Sequence, residues 1–274
     1  MDKTFARKLI KAQAWGNLRG NWLRAFLAMI IESFLAMLIL SLLPIRRPLI
    51  GEVMKAAGDT EQLIRLFIPN EITERMVALV IVTIILYLIV LSPFSIGFCR
   101  YYLKAGKGEK GNLSDVFSVY TSLKTVFSSV WLSLLIFFIS SFWTVIFMLI
   151  PIALMICAVF LEIEILYYLS ILLVPVACLF TAFWNSRYRL ARYIFAEGRL
   201  GAFASLRECS SLLYGRGGEI LMLRVSYVLW DMISVYIPVL SFVYAALSGT
   251  VYAKYLSYLR GEPIVTENNI PPIS

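Results

Sequence analysis

The sequence contains no histidine. The commonest general base and metal ligand is therefore missing. No nucleophile-elbow pattern replaces it, so a hydrolase has nothing to rest on and no enzymatic activity is expected. Cysteine is scarce. Cys99, Cys157, Cys178 and Cys209 stand apart without a CxxC pair, so a zinc or dithiol motif has no support. They read as small packing residues, and neither a metal nor a cofactor is expected. Charge is scarce as well: 15% of the 274 residues are charged and 60% are hydrophobic. A soluble domain has roughly a quarter charged residues and about half apolar ones. In water this chain would expose broad apolar patches, so hydrocarbon is the simpler solvent. Acids are rarer than bases, 17 against 25, for a net charge of +8. On a membrane protein that excess belongs in cytoplasmic loops, facing anionic headgroups, and no nucleic-acid partner is expected.

What is present is a succession of long apolar runs. About 20 helical residues cross the hydrocarbon core. Six stretches qualify: about 22–43, 76–98, 126–158, 165–184, 220–237 and 239–259. The first follows a basic segment that runs to Arg24, and it ends at Pro44-Ile45-Arg46-Arg47. That is not a small-residue cleavage site, so a span is expected and not a cleaved signal peptide. The third is too long for one upright crossing, and Pro151 is expected to kink it or end its core. Pro238 alone separates the last two, which leaves a re-entrant pair as the alternative there. The expected fold is all-α: one polytopic integral membrane domain over 1–274, about six transmembrane helices in three hairpins, with cytoplasmic interfacial amphipathic helices. The tail 261–274 is expected to be flexible.

Charge orients this arrangement. With a cytoplasmic N-terminus, the only basic residues left outside are Arg46, Arg47, Lys55, Arg65 and Arg75, offset by Glu52, Asp59, Glu61, Glu71 and Glu74. Every inside segment is then richer in Lys and Arg than every short outside one, as the positive-inside rule requires. The same pattern favours an even number of crossings and puts both termini in the cytoplasm. The outer loop, about 44–75, has room for a short amphipathic helix over 54–67.

The chain also reads as a loose threefold repeat of amphipathic stretch, hairpin and aromatic-basic exit. The stretches are 5–15 (including Lys8 and Lys11), 113–120 and 203–213. The exits carry Arg100 and Lys104, then Arg187, Arg189 and Arg192, then Lys254 and Arg260. Tyr and Trp favour the headgroup level, where Lys and Arg heads snorkel. The expected partners at this face are anionic headgroups, a protein partner or a second copy of the chain. Duplication and the generic form of any membrane hairpin both account for the repeat.

Several stretches occur in an order that resembles a known family. They are AWGNLRGNW at 14–22, PFSIG at 93–97 with RYYL at 100–103, DVF at 115–117, WTVIFMLIP at 143–151, RLARYIFAE at 189–197 and VSYVLW at 225–230. In this order the chain is similar to the bacterial multi-pass membrane proteins catalogued as domain of unknown function nine-seven-five. The resemblance implies a bacterial plasma-membrane protein and brings no activity with it.

Within the spans, Glu32 and Asp231 are the charges that need explaining. Glu32 lies about ten residues into the first span, roughly 15 Å deep at ~1.5 Å per residue. A carboxylate there costs about 2.5–3.5 kcal/mol and needs a partner, a proton or water. Glu32 and Asp231, with Arg224 nearby, either line one polar cavity or are neutralised separately. Gly106-Lys-Gly-Glu-Lys-Gly111 lacks the phosphate-loop spacing and reads as a turn. Two functions follow. One is a non-catalytic membrane-organising or partner-docking protein. The other is a small transporter, or a subunit of one, that uses the intramembrane carboxylates.

Overall fold

The computed structural model describes residues 3–19, 21–42, 74–161, 163–236 and 238–262. The expected outer-loop helix and the tail beyond Glu262 lie outside the described residues. All described elements are helical. They are α1 (Lys3–Leu18), α2 (Trp22–Leu40), α3 (Glu74–Gly106), α4 (Leu113–Phe117), a 3-10 turn (Ser118–Thr121), α5 (Leu123–Leu161), α6 (Glu164–Ala196), α7 (Ala202–Leu212), α8 (Gly217–Tyr236) and α9 (Pro238–Leu259).

Four of these are long and apolar enough to cross a membrane: α2, α3 from Met76 onward, α5 and α6. Large apolar side chains stand exposed along them, among them Phe160 at 82% and Ile165 at 76%. Such a surface suits lipid and not water. Among the described residues, α8 and α9 do not join the four. Glu219, Arg224 and Asp231 interrupt α8.

The helices overrun the expected span limits. α3 continues to Gly106 and α6 to Ala196, because nothing in their aromatic-basic exits breaks a helix. The breaks come where Gly108 (φ 82°) and Gly198 (φ 76°) adopt the left-handed conformation that favours glycine. Pro151 does not end its helix either, since α5 runs through it to Leu161. Ser170 on α6 donates to the Pro151 carbonyl at 3.0 Å. Likewise the Tyr120 hydroxyl donates to the Val90 carbonyl, one turn before Pro93 in α3.

The core lies at one end of the molecule. Its largest fully buried side chains include Phe94, Ile96 and Tyr101 on α3, Leu190 and Ile194 on α6, Tyr255 and Leu256 on α9, and Ile10 and Leu18 on α1. α1 corrects the expectation of a helix lying in the headgroups. Its apolar stripe (Ala6, Leu9, Ile10, Ala14, Leu18) is buried, and the helix packs on α9 and α3. Burying Ile10 and Leu18 stabilises that docking by about 1.5–3 kcal/mol each. The stretches at 113–120 and 203–213 are helical as expected, and they too face protein. Val116 and Val119 are fully buried, and so is Cys209 on α7.

The three basic exits meet at this same end. Asn17 donates to the Gly106 carbonyl and Arg24 to that of Gly111. Arg100 reaches the Ala196 carbonyl, and Arg260 reaches Glu197 and Glu208. In two of the three repeat units an exit tyrosine bonds the entrance of its own unit. Tyr101 donates to the Asn21 carbonyl at 3.0 Å, and Tyr255 donates to Glu219 at 3.3 Å.

Cys209 gives a first prediction. Its thiol faces the Arg187 carbonyl at 3.0 Å, and burial pushes its pKa up to about 12. At about pH 8 it stays protonated and unreactive. A water-soluble maleimide is expected to leave Cys209 unlabelled in the folded protein and to modify it after denaturation. Rapid native-state labelling would contradict the packing described.

Candidate functional site

Two cavities share Glu32, Ser95 and Arg192 in their walls. The inner one, about 350 Å³, is built by four helices at helical spacing. α2 contributes Met29 and Glu32, and α3 contributes Ser95, Cys99 and Tyr102. α6 contributes Arg189, Arg192 and Tyr193, and α9 contributes Tyr244, Ser248, Gly249 and Tyr252. Gly249 makes this crossing possible: a Cβ there would lie 2.5 Å from the Tyr102 ring. The outer cavity, about 730 Å³, is mainly apolar and is lined by Ile84, Leu88, Leu91, Leu134, Phe137 and Phe138, among others.

Arg192 donates to the Ser95 hydroxyl at 3.2 Å. Arg189 sits 5.6 Å from the centre of the Tyr252 ring, a cation–π arrangement. The Tyr193 hydroxyl donates to the Gly249 carbonyl at 3.0 Å. The Glu32 carboxylate feels the charge of Arg192, yet among the described residues no hydrogen bond or ion pair closes on it. The Tyr252 side chain is 2% exposed, and its hydroxyl has no partner among the described residues. The site thus holds two guanidiniums, a carboxylate and an unsatisfied hydroxyl at the head of an apolar cleft.

The expected site groups Glu32 with Asp231 and Arg224, and counting from Trp22 puts Glu32 near the midplane. The structure sets it level with Ser95, Cys99 and Arg192, at the basic exits of α3 and α6. Arg224 does not line either cavity. It donates to the Tyr244 hydroxyl at 3.4 Å, and Tyr244 lines the inner cavity. The Asp231 side chain lies outside the described residues.

Of the basic residues expected at the inner face, Lys8, Lys104 and Arg189 are exposed. Lys11, Arg100, Lys104, Arg187, Arg189 and Arg192 have partners within the chain. Lys11 donates to Ser226 at 2.7 Å and lies over the Tyr227 ring. Arg100 bonds Ser118 at 2.9 Å, and Lys104 pairs with Asp115 at 2.6 Å. Arg187 stacks on Phe183 and Trp184. Sequence reasoning missed Ser95, Tyr252 and the placing of Arg192 and Glu32 in one cavity wall. The available signal was the i, i+3 spacing of Arg189 and Arg192, which places both on one helix face.

Neither a family model, nor a curated protein, nor a solved structure matches the chain. The functional reading therefore rests on the chemistry of the site.

Proposed function

We propose that this is a non-catalytic multi-pass membrane protein that organises the bilayer by retaining phospholipid at its basic end. The observation that carries the reading is the pairing of a charged chamber with an apolar cleft. From Ser95 to Thr83, α3 lines the cleft over about 18 Å at ~1.5 Å per residue. One leaflet of the hydrocarbon core is about 15 Å thick. Headgroup chemistry and chain-length space thus lie end to end.

In this reading α2 with α3, α5 with α6, and α8 with α9 are three hairpins, and each pair is in contact. The chain crosses six times, with both termini and the three exits on the cytoplasmic side of a bacterial plasma membrane. The convergence of the basic exits supports this orientation, and the resemblance to domain of unknown function nine-seven-five supports the bacterial setting. A protein partner or a second copy would dock on the exposed basic residue Lys8.

The test is native mass spectrometry of the full chain purified in mild detergent. Stoichiometric phospholipid that survives gel filtration is expected. A lipid-free protein, or a tag at Met1 reachable only from outside intact cells, would sink the proposal. Glu32 and Arg192 beside a cleft also favour a second reading, a small transporter. Ion- or proton-coupled flux in reconstituted vesicles, abolished by Glu32→Gln, would decide for it.

A further inference from the structure

We infer that the two cavities together hold one phospholipid whose headgroup carries both a phosphate and a primary ammonium, as in phosphatidylethanolamine. The inference rests on the lipid-retention reading and names its ligand. Arg189 and Arg192 stand one turn apart on α6 and both line the inner chamber. Guanidiniums so placed are suited to a phosphate, which accepts several charge-assisted hydrogen bonds. Glu32, with no hydrogen bond or ion pair among the described residues, needs a donor, and a primary ammonium supplies three. The buried Tyr252 hydroxyl, also unpartnered among those residues, offers one further bond to the headgroup.

Two other headgroups fit less well. A purely anionic lipid would satisfy the arginines but bring no donor to Glu32, whose charge would repel it. A quaternary ammonium has no N–H to donate to Glu32. An acyl chain then follows the outer cleft past Leu91, Leu88 and Ile84 on α3 and Leu134 and Phe138 on α5. Both helices run from the charged chamber toward the apolar end, so head and chain are oriented as in a leaflet.

The test uses the full chain in detergent, exchanged free of lipid and titrated with phosphatidylethanolamine, phosphatidylcholine or phosphatidylglycerol of matched acyl chains. Native mass spectrometry counts the bound molecules. One phosphatidylethanolamine per chain is expected, bound about tenfold more tightly than either competitor, the scale of one hydrogen-bonded charge pair. Glu32→Gln is expected to remove that preference. Arg192→Gln is expected to weaken all three. Equal binding of the three lipids by the wild type, a preference for either competitor, or an unchanged preference in Glu32→Gln would overturn the inference. Retention without preference overturns this inference alone, whereas absence of any bound phospholipid overturns the lipid-retention reading as well. If Glu32→Gln does not fold, the wild-type ranking decides, together with Tyr252→Phe, which should lower phosphatidylethanolamine affinity about threefold.

Discussion

Gly97→Ala is expected to destabilise the protein by roughly 3 kcal/mol or more, because it forces overpacking against a fixed backbone. A Cβ on Gly97 would lie 1.9 Å from the Val116 carbonyl oxygen and 2.7 Å from its carbon. Those atoms belong to α4, which sits on the exit half of α3. A flexible side chain could turn aside, but a helical backbone cannot do so without lifting α4 away. Val116 and Val119 would then lose their burial, and Arg100 its bond to Ser118. Thermal unfolding in detergent, followed by intrinsic fluorescence, should show a drop of several degrees, and gel filtration a broadened peak. Gly16→Ala is the control. Nothing lies within 4 Å of its added Cβ, so better helix propensity should stabilise α1 by about 0.5–1 kcal/mol. If Gly97→Ala melts with the wild type, α3 and α4 do not approach each other as described.

That close approach marks the limit of what the sequence can tell. Helix existence was legible, because hydropathy and spacing are local properties. The stretches at 5–15, 113–120 and 203–213 are helices as their periodicity requires, and the first four apolar runs lie in helices able to cross a membrane. What each amphipathic face meets was not legible. Ile10 and Leu18 carry the same pattern whether their stripe lies in headgroups or on α9, and the structure puts it on protein. The helix ends were not legible either, since a span ends where lipid ends and a helix ends where its backbone breaks. α6 therefore runs on to Ala196, carrying Arg192 beside Glu32. That juxtaposition depends on how four distant helices are registered, and no spacing within one segment encodes it. A charged residue in an apolar run points to a site, but its partner must be found in three dimensions.

Arg260→Ala is expected to cost about 2 kcal/mol, between the value of an exposed ion pair and that of breaking a buried one. Arg260 donates to Glu197 at 2.5 and 2.6 Å and to Glu208 at 2.7 Å. The three side chains are 24%, 17% and 29% exposed, so water screens them only in part. Truncation leaves two carboxylates facing each other at the junction of α6, α7 and α9. Much of the expected loss is that repulsion, so removing it should restore stability. The triple variant Arg260→Leu, Glu197→Gln, Glu208→Gln is expected to unfold within about 1 kcal/mol of wild type, because no stranded charge remains. The pH dependence follows from the arginine. Burial works against its charge, but the bonds to Glu197 and Glu208 outweigh it and hold its pKa above the ordinary value. A base with a raised pKa contributes fully below its unfolded value and loses that contribution only as pH climbs through the folded one. On the arginine side, the gap between wild type and Arg260→Ala should therefore stay flat from about pH 6 to 9. Denaturant unfolding in micelles at several pH values measures it. A triple variant no more stable than Arg260→Ala would mean that the three groups stabilise through packing and not through charge.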